Sequence, residues 1–288
     1  MVYPKVSIII LNWNGLKDTI ECLESLKKIT YSNYEVIVVD NGSEGNDAAI
    51  LEQKYKGYIY LIRNKENLGF AGGNNVGIKE VLKKGKSQYI LLLNNDTIVK
   101  ENFLDELVKY YDDKTGICAP LILNFYHQNE IWCSGGKFNI FTGTYSNDTK
   151  KIKGPQKETN FISGCCWFTR NDVFQKVGLL NEQYFLYSED VDFCYRLRQQ
   201  GYKLKVIPSS IIFHKVSEST KNESSIRYYY FHRSKLIFIN KNYNRFKRFF
   251  YLNINKFIRY IRVLEYSLKG KKDIAESIKR ALKEYKYV

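Results

Sequence analysis

Polar side chains stand directly after four short apolar runs in the first hundred residues. They are Asn12, Asp40, Asn64 and the run Asn94, Asn95 and Asp96. A carboxylate such as Asp96 can hold a divalent cation, Mg²⁺ or Mn²⁺, which bridges phosphate oxygens and neutralises the charge of a departing diphosphate. A single Asp after a strand is also a common turn or helix-capping residue, so the interpretation depends on its companions.

A second acidic group places three carboxylates within five residues, directly after an aromatic run. The three are Glu189, Asp190 and Asp192. Helix capping explains one or two of them, whereas a third among bulky aromatic side chains is typical of a partly desolvated acid that can accept a proton. His214 closes another apolar run. It could bind a metal, but a plain surface histidine is the simpler interpretation unless it lies near Asp96.

A glycine cluster lies between Asn67 and Gly77, after a predicted strand and before a predicted helix. Backbone amides in such a place can face an anion. The spacing G-x-x-G-G-x-x-x-G differs from the G-x-G-x-x-G of dinucleotide enzymes, so hydride transfer loses its main support. A tight turn before a helix is the simpler explanation of such a cluster taken alone.

These polar positions are brought together by an alternation of apolar runs and amphipathic stretches that predicts an open α/β sheet. The predicted strands are Val6–Leu11, Glu35–Val39, Tyr58–Ile62 and Tyr89–Leu93, and the predicted helices are Leu16–Lys28, Asp47–Tyr55 and Gly73–Lys83. Further helices are predicted at Glu101–Tyr111 and 189–200, and strands at Lys203–Ile207 and Ile211–Phe213. Because open sheets bind ligands at the carboxyl ends of their strands, the polar residues are expected at one edge.

Composition is globular, with 44% hydrophobic and 26% charged residues among 288. Six cysteines without a C-x-x-C pair predict reduced core residues in a cytoplasmic protein. No secretion signal or membrane span is expected, so any membrane contact is predicted to be peripheral, on the inner face of the cell membrane.

The net charge of +15 is confined to the last third of the chain, because residues 1–199 carry 24 basic and 24 acidic residues and residues 200–288 carry 21 and 6. We predict a catalytic domain over residues 1–240 and a basic amphipathic helical extension over 241–288. One face of its helix is apolar and the other basic. The apolar residues are Phe246, Phe249, Phe250, Ile254, Phe257, Ile258, Ile261 and Leu264, and the basic ones Arg248, Lys256, Arg259 and Arg262. Such a helix can lie on an anionic membrane, or its apolar face can pack on the catalytic domain.

Together the motifs resemble the family 2 glycosyltransferases, in particular their rhamnosyltransferase-like branch. The matching stretches are Ile9–Gly15, Val38–Ser43, Asn67–Gly77, Leu92–Asp96, Gly164 with its apolar flanks, Phe185–Asp192 with Arg196, and His214. They follow the family's order over residues 5–240.

The resemblance implies a glycosyltransferase-A fold, an open mixed sheet flanked by helices, and inverting transfer of a sugar. The implied partners are a nucleoside diphosphate-sugar donor and a glycan or lipid-linked acceptor. The implied donor-binding residues are Asn12, Asn14, Asp40, Asn67, Gly69, Gly72, Asn74, Asn94, Asn95 and Asp96. Asp40 is expected to hold the nucleobase or ribose.

Asp96 occupies the place of the family's Asp-x-Asp metal motif, with Asn94 in place of the first Asp. The resemblance therefore implies a divalent cation, Mg²⁺ or Mn²⁺, held by Asp96 with fewer carboxylates than usual, and His214 is a candidate second ligand. Asp190 is implied as the general base, with Glu189 and Asp192 as weaker alternatives.

Two rival functions are compatible with parts of the sequence. The basic, aromatic carboxyl-terminal third could bind nucleic acid, but Asp40, Asp96 and Asp190 would repel a phosphate backbone in the absence of metal, so no nucleic acid partner is expected. A nucleotidyltransferase also uses metal and carboxylates on a similar sheet. It would release pyrophosphate rather than a nucleoside diphosphate.

Overall fold

The apolar runs of the first hundred residues form strands separated by helices, as the alternation predicts. The computed structural model describes residues 3–139, 144–216 and 224–285. The strands of these residues are β1 (Val6–Asn12), β2 (Tyr34–Asp40), β3 (Ile59–Arg63), β4 (Tyr89–Asn94), β5 (Thr97–Val99), β6 (Thr115–Asn124), β7 (Ile131–Cys133), β8 (Gly136–Asn139), β9 (Thr144–Asn147), β10 (Lys157–Thr159), β11 (Cys166–Arg170) and β12 (Lys203–His214). The helices are α1 (Leu16–Leu26), α2 (Asp47–Lys54), α3 (Gly69–Lys84), α4 (Phe103–Tyr110), α5 (Asn171–Val177), α6 (Glu189–Gln199), α7 (Ser225–Asn242), α8 (Arg245–Leu268) and α9 (Lys272–Glu284).

The main sheet is mixed, in the order β10-β12-β6-β11-β4-β1-β2-β3. Strands β3, β2, β1 and β4 are parallel, whereas β11 runs antiparallel between β4 and β6. β5 pairs with β12, β7 pairs with β6, and β8 and β9 form a separate hairpin. This confirms the predicted open mixed sheet flanked by helices.

Both faces of the central strands are covered, which is why their sequences are continuously apolar rather than alternating. In β1, Ile8 and Ile10 pack into the cluster that contains Leu23 of α1, whereas Ile9 packs into the cluster that contains Ile78 of α3. All six cysteines are buried and none forms a disulfide. The prediction of reduced core cysteines is confirmed.

The parallel register places the ends of three strands at one edge of the sheet. Asn12 of β1 pairs with Asp40 of β2, and Leu11 pairs with Asn94 of β4. All three polar residues terminate their strands. The predicted convergence of polar side chains at the carboxyl edge is confirmed for these strands.

The glycine cluster lies inside helix α3, which begins at Gly69, so the predicted start at Gly73 was wrong. A Cβ atom on Gly73 would lie 2.4 Å from Leu11 Cδ1, and one on Gly77 would lie 2.6 Å from Ile9 Cγ2. The glycines therefore allow α3 to approach the sheet closely. Likewise, the strands predicted at Lys203–Ile207 and Ile211–Phe213 are one strand, β12, with a register shift between them.

The three carboxyl-terminal helices pack on one another and on the core. Helix α7 buries Leu236 to Ile239 in the same cluster as the sheet. Helix α8 buries Asn255, Arg259 and Val263, whereas its predicted apolar face is exposed to solvent. The interpretation that this apolar face packs on the catalytic domain is therefore wrong for the described residues, and Arg259 is not a solvated residue. The domain boundary after residue 240 stays a prediction.

None of the helices in the described ranges is both long and apolar enough to span a membrane.

The close approach of α3 predicts the cost of adding a side chain at its glycines. Gly77→Val should lower the free energy of unfolding by about 1–3 kcal/mol, because the added atoms meet Ile9 in a packed core. Urea unfolding measures this difference. Gly45→Val is the control, since only Asp47 Oδ1, at 3.8 Å, lies near a Cβ there. Equal stability of the two variants would contradict the packing role.

Candidate active site

A hydrogen-bond network centred on Asp40 joins the carboxyl ends of β1 and β2. Asp40 Oδ1 accepts from Asn12 Nδ2 at 2.9 Å and from Ser43 Oγ at 2.6 Å. Asn12 is fully buried, and its Oδ1 accepts from Thr19 Oγ1 at 2.7 Å. Its Nδ2 also lies 3.0 Å from Asp47 Oδ2. Asn12 is therefore an internal hydrogen-bond partner of Asp40. Its position at the end of a strand did not show whether it would contact a ligand or another part of the protein.

The loop after β1 is fastened to the loop after β2. Asn14, at a φ of +50°, accepts a hydrogen bond from Glu44 N at 2.9 Å and donates its own backbone N–H to Ser43 Oγ at 3.0 Å. Between the two asparagines of this loop, Trp13 is 52% exposed. An exposed indole beside this network is a candidate site residue that the sequence analysis missed. Its exposure, invisible in the sequence, is what identifies it.

Asn41, next to Asp40, fixes the start of α3. Its Nδ2 donates to Asn67 Oδ1 at 2.9 Å and to Gly69 O at 3.1 Å, and its Oδ1 accepts from Asn64 Nδ2 at 2.9 Å. Asn67 Oδ1 in turn accepts from Gly69 N at 2.8 Å. Sequence reasoning did not single out Asn41, although it directly follows the strand-end aspartate.

The predicted glycine loop lies partly at the start of helix α3 and partly inside it. Gly69 has a φ of +72°, and a Cβ there would lie 2.3 Å from Phe185 O. Gly72 and Asn74 lie inside α3, where Asn74 Nδ2 donates to Phe70 O at 2.9 Å. The amides of Gly69 and Phe70 are bonded to Asn67 and Phe185. These contacts tie the helix start to the acidic segment instead of leaving both amides open for an anion.

The third strand end carries Asn94, Asn95 and Asp96. Asn95 Nδ2 donates to Thr19 Oγ1 at 2.9 Å, and Thr19 also bonds Asn12, so this loop belongs to the Asp40 network. Strand β12 pairs with β5 so that His214 lies opposite Thr97. As a result, His214 Nε2 lies 3.2 Å from Asp96 Oδ1, and both side chains are largely buried. His214 therefore lies near Asp96, which is the arrangement that the sequence analysis required for a role in metal binding.

Asp96 and His214 bring one carboxylate oxygen and one imidazole nitrogen within 3.2 Å of each other. Mg²⁺ and Mn²⁺ sites in enzymes of phosphate esters use one or two protein carboxylates, with phosphate and water oxygens completing the coordination. Within the described ranges, no group of three or more His, Cys, Asp and Glu side chains could hold a metal. A cation held by this pair would therefore take its remaining ligands from outside these two side chains, as phosphate and water oxygens can supply.

Helix α6 begins at the acidic segment with a sharp change of direction. Tyr187 and Ser188 both have positive φ, 67° and 69°. Such strain in residues other than glycine is concentrated at functional sites. Glu189 and Asp190 follow in the first helical turn, where the helix dipole favours negative charge.

Asp190 is held as a nearly buried carboxylate. Its Oδ1 accepts from Val191 N at 2.8 Å, and its Oδ2 accepts from Gly164 N at 3.3 Å. Burial raises the pKa of Asp190 to about 6, and the two backbone N–H groups oppose this shift. The arrangement suits a group that is ionised at neutral pH and can still take a proton.

The neighbouring acids differ from Asp190. Burial and then the Asp190 carboxylate raise the pKa of Glu189 well above its usual range, and Glu189 Oε2 has no hydrogen-bond partner within the described residues. Asp192 is paired with Arg196 at 2.8 Å and accepts from Asn242 Nδ2 at 2.9 Å. Asp192 is thus paired within the fold, whereas burial keeps the pKa of Glu189 above that of an ordinary glutamate.

Adjacent residues join the two halves of the site. Gly164 N donates to Asp190, and Cys165 O accepts from Asn94 N at 2.9 Å. A Cβ atom on Gly164 would contact Phe70 of α3 at 3.3 Å. The segments that carry Asp40, Asp96 and Asp190 are therefore connected through direct contacts.

The whole-chain architecture matches known glycosyltransferases. A solved structure of the mannosyltransferase PcManGT from Pyrobaculum calidifontis, in complex with GDP-Man and Mn²⁺, superposes with a TM-score of 0.62 at 12% identity, covering 98% of this chain and 86% of that chain. The fold class is the glycosyltransferase-A fold, as the sequence implies.

Sequence comparison gives the family. The family model for glycosyl transferase family 2 matches residues 7–178, more than half of the chain. The hexosyltransferase Agl10 of low-salt glycan biosynthesis in Haloferax volcanii is 25% identical over 83% of this chain and 77% of its own length. The rhamnosyltransferase WbbL of Escherichia coli K12 is 26% identical over 85% of this chain and 99% of its own length. The chain belongs to glycosyl transferase family 2 and is a glycosyltransferase.

The raised pKa of Asp190 predicts a gain of stability when its charge is removed. A carboxyl group with a raised pKa stabilises the fold below its unfolded pKa, near 4, and that contribution is lost as the pH rises through about 6. Asp190→Asn should therefore raise the free energy of unfolding at pH 7.5 by about 1–3 kcal/mol, since each pKa unit corresponds to about 1.4 kcal/mol. Urea unfolding at pH 7.5 and pH 4 measures the difference, which should vanish at pH 4.

Asp192→Asn is the matched control for that measurement. It should lower stability at pH 7.5 by about 1–3 kcal/mol, because it removes a charge-assisted hydrogen bond from Arg196. Loss of stability in both variants would contradict the prediction, because the charge of Asp190 would then stabilise the fold.

Proposed function

We propose that this glycosyltransferase transfers a hexose with inversion from a nucleoside diphosphate-sugar to a hydroxyl group of a glycan or lipid-linked acceptor. Asp190 acts as the general base, and Asp96 with His214 would hold a divalent cation at the donor. The observation that supports this most is the buried Asp190 carboxylate, which is connected through Gly164 and Cys165 to the strand that carries Asp96.

The three acids of α6 have separable roles in this proposal. Asp192 is occupied by Arg196 and Asn242, and burial together with the Asp190 carboxylate raises the pKa of Glu189 well above its usual range. Asp190 is left as the acid that is ionised at neutral pH, with a pKa of about 6. A general base is most effective when its pKa lies close to the working pH.

The transfer step follows from this placement. The acceptor hydroxyl gives its proton to Asp190 while its oxygen attacks the anomeric carbon from the face opposite the diphosphate, so the configuration inverts. The bond from that carbon to the diphosphate breaks with its electron pair on the leaving oxygen. Asp96 and His214 would hold the cation, which would supply charge neutralisation for that oxygen when bound.

The donor side uses the network at the ends of β1 and β2. Asp40, held by Asn12 and Ser43, accepts hydrogen bonds from the nucleobase or ribose, and the exposed Trp13 lies on the loop between Asn12 and Asn14. The named activities of WbbL and Agl10 support a hexose, with deoxythymidine diphosphate-rhamnose as one candidate donor.

Removing the base should affect turnover and leave donor binding in place. Asp190→Asn should lower kcat at least about a hundredfold, since general-base catalysis contributes roughly 10²–10⁴-fold. The wild-type kcat should fall tenfold per pH unit below about pH 6, where Asp190 becomes protonated. Steady-state kinetics across pH 4.5–8, with calorimetry for the donor Kd, measures both.

The neighbouring acids supply the controls for the base. Glu189→Gln should keep the acidic limb of the pH profile, and Asp113→Asn, at an exposed carboxylate, should match the wild type. If Glu189→Gln removes that limb and Asp190→Asn does not, the base is Glu189.

Removing the cation ligands should affect donor binding. In calorimetric titrations with UDP, GDP or dTDP, Asp96→Ala should abolish the increase in affinity caused by Mg²⁺ or Mn²⁺. His214→Ala should reduce that increase at least about tenfold, as losses of groups around a metal commonly do. Asp113→Ala is the control. Equal enhancement by metal in all variants would place the cation elsewhere.

A further inference from the structure

An apolar stripe runs along the solvent-facing side of helix α8. Its members recur at helical spacing and are all exposed, from 38% at Ile254 and Ile258 to 89% at Leu268. They are Phe246, Phe249, Phe250, Ile254, Phe257, Ile258, Ile261, Leu264 and Leu268. At 1.5 Å per residue the stripe is about 33 Å long. It faces away from the buried side of the same helix.

The opposite side of α8 is the one that packs against the protein. Asn255, Arg259 and Val263 are buried there, and Arg259 Nη1 donates to Asn255 O at 2.8 Å and to Asn255 Oδ1 at 2.9 Å. The helix thus buries a polar pair and exposes its phenylalanines. Because a fully uncovered aromatic side chain presents about 150–250 Å², the stripe leaves on the order of several hundred Å² of apolar surface in water. Patches of this size mark binding surfaces.

Basic residues flank the stripe. Lys247 and Lys256 lie on its two sides at helical spacing. Besides the buried Arg259, α8 carries five Lys and Arg residues against a single acid, Glu265. Glu265 is itself paired with Arg262 and Lys269. The surface around the stripe is therefore positively charged.

The amino-terminal end of α8 adds a shallow concavity. It is lined by Arg245, Phe246, Arg248, Phe249 and Leu252. Aromatic rings beside guanidinium groups are typical of segments at the boundary between lipid headgroups and acyl chains. The concavity has the same combination of aromatic and basic residues as the stripe, so we treat the two as one surface.

We propose that α8 docks the protein on an anionic lipid bilayer, with the stripe in the acyl boundary and Lys247 and Lys256 at the headgroups. The charge distribution favours this occupant over a second copy of the chain. Two α8 stripes facing each other would bring like-charged borders together, and the acid of α8 is already paired. A bilayer containing phosphatidylglycerol offers both the apolar phase and the opposite charge.

Helix α8 is linked to the segment that precedes the acidic residues through helix α7. Helix α7, on which α8 packs, stacks Tyr230 on Phe185 with ring centroids 4.8 Å apart. Ser234 Oγ donates to Leu186 O at 2.9 Å. A membrane-bound α8 would therefore hold the Asp190 side of the site close to the bilayer. Only this consequence rests on the proposed function, because docking itself needs no transfer activity.

Vesicle co-sedimentation of the full chain tests the proposal. Wild type should bind vesicles of phosphatidylcholine with 30% phosphatidylglycerol, and binding should weaken at least about tenfold with phosphatidylcholine alone or at 0.5 M salt. Phe257→Ser with Ile261→Ser should weaken binding to the anionic vesicles at least about tenfold. Lys247→Gln with Lys256→Gln should do the same through charge.

Matched double variants supply the controls. Ile50→Ser with Tyr60→Ser alters two exposed apolar residues elsewhere, and Lys83→Gln with Lys86→Gln alters exposed lysines of α3 and its following loop. Both controls should bind like the wild type. Absence of wild-type binding, or unchanged binding by the α8 variants, would overturn the proposal. So would a dimer in sedimentation velocity that only the Phe257 and Ile261 changes dissociate, since a second copy would then occupy the stripe.

Discussion

The parallel register of β1, β2 and β4 is the constraint on which the rest of the site depends. Because Asn12 lies opposite Asp40 and Leu11 opposite Asn94, three chain segments leave the sheet at the same level. Buried polar groups there must find partners, and they find one another through Asn12, Thr19 and Asn41. The network fixes the loops before any ligand binds, which lowers the entropy cost of binding.

The acidic segment at the start of α6 contains several features that lower the stability of the fold. Positive φ at Tyr187 and Ser188 and the burial of Glu189 and Asp190 all oppose folding. The backbone N–H groups of Gly164 and Val191 and the dipole of α6 offset part of this cost. Asp192, on the same helix, contributes the stabilising ion pair with Arg196. Two neighbouring acids of one sequence motif thus lie in opposite electrostatic settings, because Asp190 is desolvated whereas Asp192 is paired with a cation.

Sequence patterns predicted the sheet and the polar edge because these depend on local periodicity and on the ends of strands. They did not predict that Asn12 is internal, since a strand-end asparagine reads the same whether it faces a ligand or a neighbouring loop. The contact of His214 with Asp96 depends on the pairing of β12 with β5, an interaction between residues more than a hundred positions apart. The start of α3 was misplaced because glycine lowers helix propensity, while close packing on Ile9 and Leu11 requires it.

For helix α8, too, the sequence leaves open which residues are buried. Periodicity defines two faces of a helix but not which of them the protein covers. Ordinarily the apolar face is buried, since an unpaired polar group in the interior is costly. Here Arg259 Nη1 donates to Asn255 within the helix, so part of the cost of covering this polar face is offset. The rest of that cost remains, since Arg259 Nε has no hydrogen-bond partner among the described residues and burial lowers the Arg259 pKa to about 10. The apolar stripe is then left to water. Folding alone does not bury it, and the free energy of the protein falls further only when an external apolar phase covers that face.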